Sequence, residues 1–142
     1  MPLHTNFPTI LVLVATTLSA PKFSGQQSPL RIAIANMKKN SGKIVVEIYQ
    51  DKASWLENPF KTVTLSSDES LKTASFDLPP GKYAVSVYQD TNQNGRLDMN
   101  FLGIPKEPVG FGNNYKPFGK PKFESALIEY NATSKPETIK LF

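Results

Sequence analysis

A chain of 142 residues, 39% of them hydrophobic, can build one packed domain and leaves no comfortable room for a second. It has no cysteine, which excludes disulfides, thiolate metal sites and a cysteine nucleophile. The net charge of +4 comes from 16 basic and 12 acidic residues scattered along the chain, with only Lys38 and Lys39 adjacent, so the clustered basic footprint of a nucleic-acid binder is missing.

Residues 10–20 (ILVLVATTLSA) form an apolar run of signal-peptide length, too short to span a bilayer. Ser19 and Ala20 supply small residues for cleavage, although His4 is the only basic-type residue ahead of the run and Pro21 follows it. A Pro-, Gln- and Ser-rich stretch comes next. The expectation is an exported protein: residues 1–28 as leader and short linker, and residues 29–142 as the folded domain, with no transmembrane segment in the mature chain.

From there the hydrophobic period is two, the signature of strands. Leu30, Ile32 and Ile34 share a face in 30–36. In 43–50, Ile44, Val46 and Ile48 oppose Glu47 and Tyr49. Val63 and Leu65 align in 61–66, as do Ala74, Phe76 and Leu78 in 73–78. Tyr83, Val85 and Val87 align in 82–90. Ala126, Ile128 and Tyr130 share a face in 123–130, and Ile139 and Leu141 close the chain. Only residues 54–57 suit a helical turn, with Ser54 as N-cap. About seven short strands and almost no helix predict an all-β fold. The form expected is a two-sheet antiparallel β-sandwich of immunoglobulin or transthyretin type, with one long ordered loop. Pro79-Pro80-Gly81 ahead of Tyr83 suggests a tyrosine corner, with a plain core aromatic as the alternative.

The long loop is residues 90–122, rich in Gly and Pro yet too apolar for disorder. It opens with the sharpest motif in the chain, DTNQNGRLD at 90–98. Side-chain oxygens fall at Asp90, Asn92 and Asn94, Gly95 sits at the sharp turn, Arg96 offers its carbonyl with its side chain pointing away, and Asp98 takes the ninth position. This is the spacing that wraps oxygens around Ca²⁺. Leu97 would anchor the loop. The twelfth position is Phe101 rather than Glu, so another carboxylate would have to come from Asp51, Glu107 or Glu124. The alternative is a polar turn in which Asn92 and Asn94 cap backbone amides.

Catalysis finds little to stand on. With the one histidine in the expected leader, a Ser-His-Asp triad and a His-ligated zinc are both out of reach. What survives is a carboxylate pair, Asp98 with Glu107 or Glu124, for a carbohydrate-active or other hydrolase. Phe101, Phe111, Tyr115 and Phe118 offer stacking surface for a glycan or an envelope protein, or simply pack the loop onto the sandwich.

The strings LPPGKYAVSVYQDTNQNGRLDMN at 78–100, FLGIPKEPVGFGNN at 101–114 and FGKPKFESA at 118–126 resemble the bacterial domain-of-unknown-function family 2141. That resemblance implies an exported protein, periplasmic or surface-exposed, with no assigned activity and no catalytic residues to transfer. Family members commonly carry a histidine just before the acidic loop, where this chain has Gln89. Residues 90–98 alone also resemble the calcium turns of bacterial adhesin sandwich repeats. The sequence thus points to a non-enzymatic binding or structural module of the envelope with a structural Ca²⁺. A hydrolase and an unliganded structural domain are the alternatives.

Overall fold

The structure, a computed structural model, describes Pro2 and residues 28–142. The expected leader, its cleavage point and His4 lie outside the described residues. Eight strands follow: β1 Leu30–Ala35, β2 Lys43–Tyr49, β3 Lys61–Ser66, β4 Leu71–Phe76, β5 Gly81–Asp90, β6 Val109–Phe111, β7 Leu127–Tyr130 and β8 Glu137–Lys140. Two 3₁₀ turns, Gly112–Asn114 and Glu124–Ala126, are the only helical pieces among the described residues. No helix there is long and apolar enough to cross a membrane.

The strands form two sheets, β4-β1-β8 and β3-β2-β5-β6, with β7 pairing the first half of β5 beside β6. Alternation decides which side chains meet between them. Ile32 and Ile34 from one sheet face Ile44, Val46, Ile48, Val85 and Val87 from the other, all fully buried. Truncating any one of these to Ala would cost roughly 2–5 kcal/mol, because the lost apolar burial adds to the cavity left behind. The tyrosine corner is formed: the Tyr83 hydroxyl donates to the Pro79 carbonyl at 2.7 Å.

The expected all-β, two-sheet architecture is present, with particulars the pattern did not give. Among the described residues the strands number eight, because Val109–Phe111 emerges from the long loop and pairs with Ser86–Tyr88. Gly110 permits this, since a Cβ there would lie 2.6 Å from an Ile139 methyl. The sandwich is not wholly antiparallel, for the last strand joins the first in parallel, pairing Ile32 with Glu137 through Ala35 with Lys140. Residues 54–57 form a single turn, closed by the Asn58 N–H donating to the Ser54 carbonyl at 2.9 Å. Asp51, not Ser54, supplies the capping oxygen, its Oδ1 accepting the Ser54 N–H at 2.9 Å.

Candidate functional site

On the outer face of the larger sheet, alternation predicts solvent, yet β5 is buried on both faces from Tyr83 to Asp90. Val45, Tyr49, Ala84, Tyr88, Val109, Phe111 and Ala126 make a second apolar cluster there. The loops that follow β2 and β5 cover it with Trp55, Leu56, Leu97, Tyr115 and Phe123. Trp55 stands edge-on to Tyr49 with ring centroids 4.9 Å apart and donates its indole N–H to the Pro121 carbonyl at 3.2 Å. Leu56 is held at φ 61°, a conformation that costs a branched residue about 1–3 kcal/mol and persists only under surrounding packing.

Between these two covering loops the sheet stays open as a groove of about 700 Å³. Its floor is laid out by strand register: Thr62 and Glu47 lie side by side across β3 and β2, with Ser86 of β5 buried beside Glu47. Thr64, Val45 and Tyr88 form the next row, and Lys43 faces Asp90 in the third. Leu56 and Pro59 make one wall and Gln93, Gly95, Arg96 and Leu97 the other. Burial pushes the Glu47 carboxyl above its ordinary value, against the lowering effect of the Tyr49 hydroxyl, which donates to Glu47 Oε2 at 2.6 Å. Burial first, and the neighbouring carboxylates second, raise both the Tyr49 and Tyr88 hydroxyls, so both remain proton donors at neutral pH. The Ser86 hydroxyl, fully buried opposite Glu47, has no hydrogen-bond partner.

The 90–98 loop forms one wall of this groove. The Asp90 carboxylate accepts the Asn94 and Gly95 amides at 3.1 and 2.8 Å. Asn92 Oδ1 accepts the Asn94 amide and Asn94 Oδ1 the Arg96 amide, so both cap backbone. Their Nδ2 groups converge on Asp98, at 2.6 Å from Asn92 and 2.9 Å from Asn94. These two hydrogen bonds, helped by the nearby Arg96 charge, lower the Asp98 carboxyl below its ordinary value. Asn92, Asn94 and Asp98 therefore meet, with Asp90 bound to the backbone between them. The Arg96 side chain is exposed, as expected, with its Nε 3.6 Å from Asp98 Oδ1. Leu97 does anchor the loop, though against the outer cluster rather than the inter-sheet core.

Of the three carboxylates looked to for support, Glu107 reaches the loop, but at its stems. It is 8% exposed, and its Oε1 accepts the Thr91 amide at 2.9 Å while Oε2 accepts the Asp98 amide at 3.2 Å. Asp51 caps its own turn, and Glu124 pairs at the surface with Lys52 at 2.7 Å. Among the described residues no three acidic, Cys or His side chains gather as around a metal ion, so an ion here would draw on Asn and carbonyl oxygens. The four loop aromatics separate. Phe111 is fully buried, which takes its ring off the surface, and the half-buried Tyr115 packs beside it with centroids 6.2 Å apart. Phe101 and Phe118 are exposed.

The model of an uncharacterized protein family conserved in bacteria, domain-of-unknown-function family 2141, matches residues 32–139. The chain belongs to this family. No curated protein and no solved structure matches it. The family 2141 match spans both sheets, the groove and the 90–98 loop, so these features lie inside the family's domain. Gln89, standing where the resemblance leads one to look for a histidine, is fully buried and locks the β1–β2 connection. Its Nε2 donates to the Lys38 and Ser41 carbonyls at 2.5 and 2.6 Å, and its Oε1 accepts the Lys38 amide at 2.8 Å.

Sequence reasoning passed over Glu47 and Tyr88, because polar side chains on the second face of a strand read as solvated. A signal was present: Val45 and Tyr49 flank Glu47 on that same face, and apolar neighbours there mean that something covers it.

Proposed function

We propose that this chain is a non-enzymatic binding module of the bacterial envelope, and that its ligand is a saccharide or related polyhydroxyl compound held in the groove over β2 and β5. The observation that carries this is the groove floor, where the Glu47 carboxyl and the Tyr88 hydroxyl stand among Thr62 and Thr64. Carboxyl and hydroxyl groups suit the alternating donors and acceptors of a sugar, while Val45, Leu56 and Leu97 offer apolar contact for its ring faces. The envelope setting is supported by the leader-like run at 10–20 and by the family's bacterial membership. Binding without catalysis is supported by the carboxylates themselves. Glu107 is spent on two backbone amides and Glu124 on Lys52, so neither is free to work with Asp98.

The test is titration of the full chain with neutral hexoses, amino sugars and their oligomers, followed through Trp55, the one tryptophan. Trp55 touches Tyr49, so a seated ligand should shift its emission saturably. Glu47→Gln and Tyr88→Phe should each weaken that response. A response indifferent to both variants would sink the groove, and release of a hydrolysis product would favour the enzyme alternative.

The 90–98 loop supports a second element of the same proposal: a weak, structural Ca²⁺ that stiffens this wall of the groove. Asn92, Asn94 and Asp98 already meet, and an ion at that point would take their oxygens only if the two Asn amides turned and gave up the Asn94 and Arg96 N–H groups they now cap. Thermal melting with millimolar Ca²⁺, Mg²⁺ or chelator tests it. An ion a hundredfold above its dissociation constant adds about 2.7 kcal/mol. No Ca²⁺-dependent shift, or an undiminished one in Asp90→Ala, would leave the turn closed by its own hydrogen bonds alone.

A further inference from the structure

Beyond the groove, the long loop sends two apolar tips into solvent. The first is a tight hairpin running from Asp98 to Lys106. Lys106 N–H donates to the Asp98 carbonyl, and Asn100 N–H to the Ile104 carbonyl. Asn100 Oδ1 accepts the Leu102 and Ile104 amides at 2.9 and 3.0 Å. This bracing fixes Phe101 and Leu102 at the apex, 95% and 61% exposed, with Ile104 39% exposed beside them. The second tip carries Phe118, fully exposed. The tips are neighbours, because a Cβ on Gly103 would lie 3.6 Å from the Lys120 side-chain stem. Every exposed charge from Met99 to Phe123 is a lysine, since Glu107, the one acid in that span, is buried.

We propose that the Phe101–Leu102 and Phe118 tips, flanked by Lys106, Lys120 and Lys122, dock the protein on the surface of an anionic lipid bilayer. A protein partner would need a separate pocket for each protruding ring, whereas the fluid interface of a bilayer accepts both without prior fit. Aromatic rings favour that depth, and the lysines meet anionic headgroups above it. Bracing the hairpin from within means little ordering entropy is lost on insertion. Each lysine near an anionic surface is worth roughly fivefold in partitioning.

The test uses the full chain with Phe101→Trp, Phe118→Trp and, as a control, Leu71→Trp at an exposed position on β4, each with Trp55 retained. The wild type supplies the baseline, since Trp55 is enclosed by Tyr49, Phe111 and Phe123. Vesicles of phosphatidylglycerol and brominated phosphatidylcholine should blue-shift and quench the tryptophans at 101 and 118, leaving 71 and the wild type unchanged. Vesicles without the anionic lipid should bind far less. The combined Lys106→Glu, Lys120→Glu and Lys122→Glu chain should need on the order of a hundredfold more anionic lipid. Tips that stay unquenched on every vesicle would overturn the proposal and point to a protein partner. Quenching at 71 equal to that at the tips, or binding indifferent to charge reversal, would overturn it too.

Discussion

Glu107→Ala should loosen the 90–98 loop and lower the stability of the whole domain. The wild-type carboxylate holds both stems of the loop, accepting the Thr91 amide at 2.9 Å, the Asp98 amide at 3.2 Å and, more weakly, the Thr91 hydroxyl at 3.3 Å. A hydrogen bond to a charged group contributes about 1.5–3 kcal/mol, so the two amides alone account for roughly 3–6 kcal/mol. Thr91 is exposed and Asp98 half-buried, so water will satisfy part of what alanine abandons, leaving about 2–4 kcal/mol. Glu107→Gln should fall between, because one oxygen still accepts an amide while the new NH₂ opposes the other. Urea unfolding followed through Trp55 measures the loss as a shifted midpoint at constant slope. Amide exchange at Thr91 and Asp98 should accelerate in the same variants. An alanine variant within about 0.5 kcal/mol of wild type, with both amides still protected, would refute the clamp.

Three further outcomes follow from the geometry. Gly42→Ala should prevent stable folding or cost at least about 3 kcal/mol, because its Cβ would sit 1.9 Å from the Asp90 carbonyl oxygen at φ 69°. A wild-type melting temperature would contradict that close approach. Tyr83→Phe should cost about 0.5–1.5 kcal/mol by losing the bond to Pro79, and no loss would reduce the tyrosine to a core aromatic. Glu47→Gln should gain on the wild type as pH rises above the ordinary carboxylate range. A carboxyl raised by burial contributes stability that is complete below its unfolded value and lost as pH climbs through the folded one. Melting as a function of pH checks it, and a difference between the two proteins that does not change with pH would be evidence against a raised Glu47 carboxyl.

The inter-sheet core was legible because period-two alternation is a local property: Ile44, Val46 and Ile48 declare a face wherever they are placed. What alternation cannot report is whether the second face of a strand meets water. Tyr49, Tyr88 and Glu47 gained their environment from the 51–60 and 90–126 stretches, whose path back across the sheet no strand alternation encodes. The same limit divided the loop aromatics. Phe111 and Phe101 look alike in sequence, yet strand pairing with β5 buries one while a braced hairpin projects the other. The spacing of 90–98 made a polar turn legible, with Asn92 and Asn94 capping backbone amides, since turn chemistry acts over a few residues. It could not foresee that Glu107 would bind the loop's backbone.

Pairing the first strand with the last has a consequence for how the chain reaches this fold. Ala33 and Thr138 are register partners more than a hundred residues apart, and β1 has β8 as one of its two neighbours. A chain made from its N-terminus holds an incomplete small sheet, with one edge of β1 unpaired, until residues 137–140 have been made. Contacts of such long sequence separation slow folding and keep strand edges open meanwhile. Removing the last half-dozen residues should therefore leave a sticky, half-closed sandwich rather than a slightly shorter one. The time between synthesis and closure is also when a holding chaperone would find most to grip.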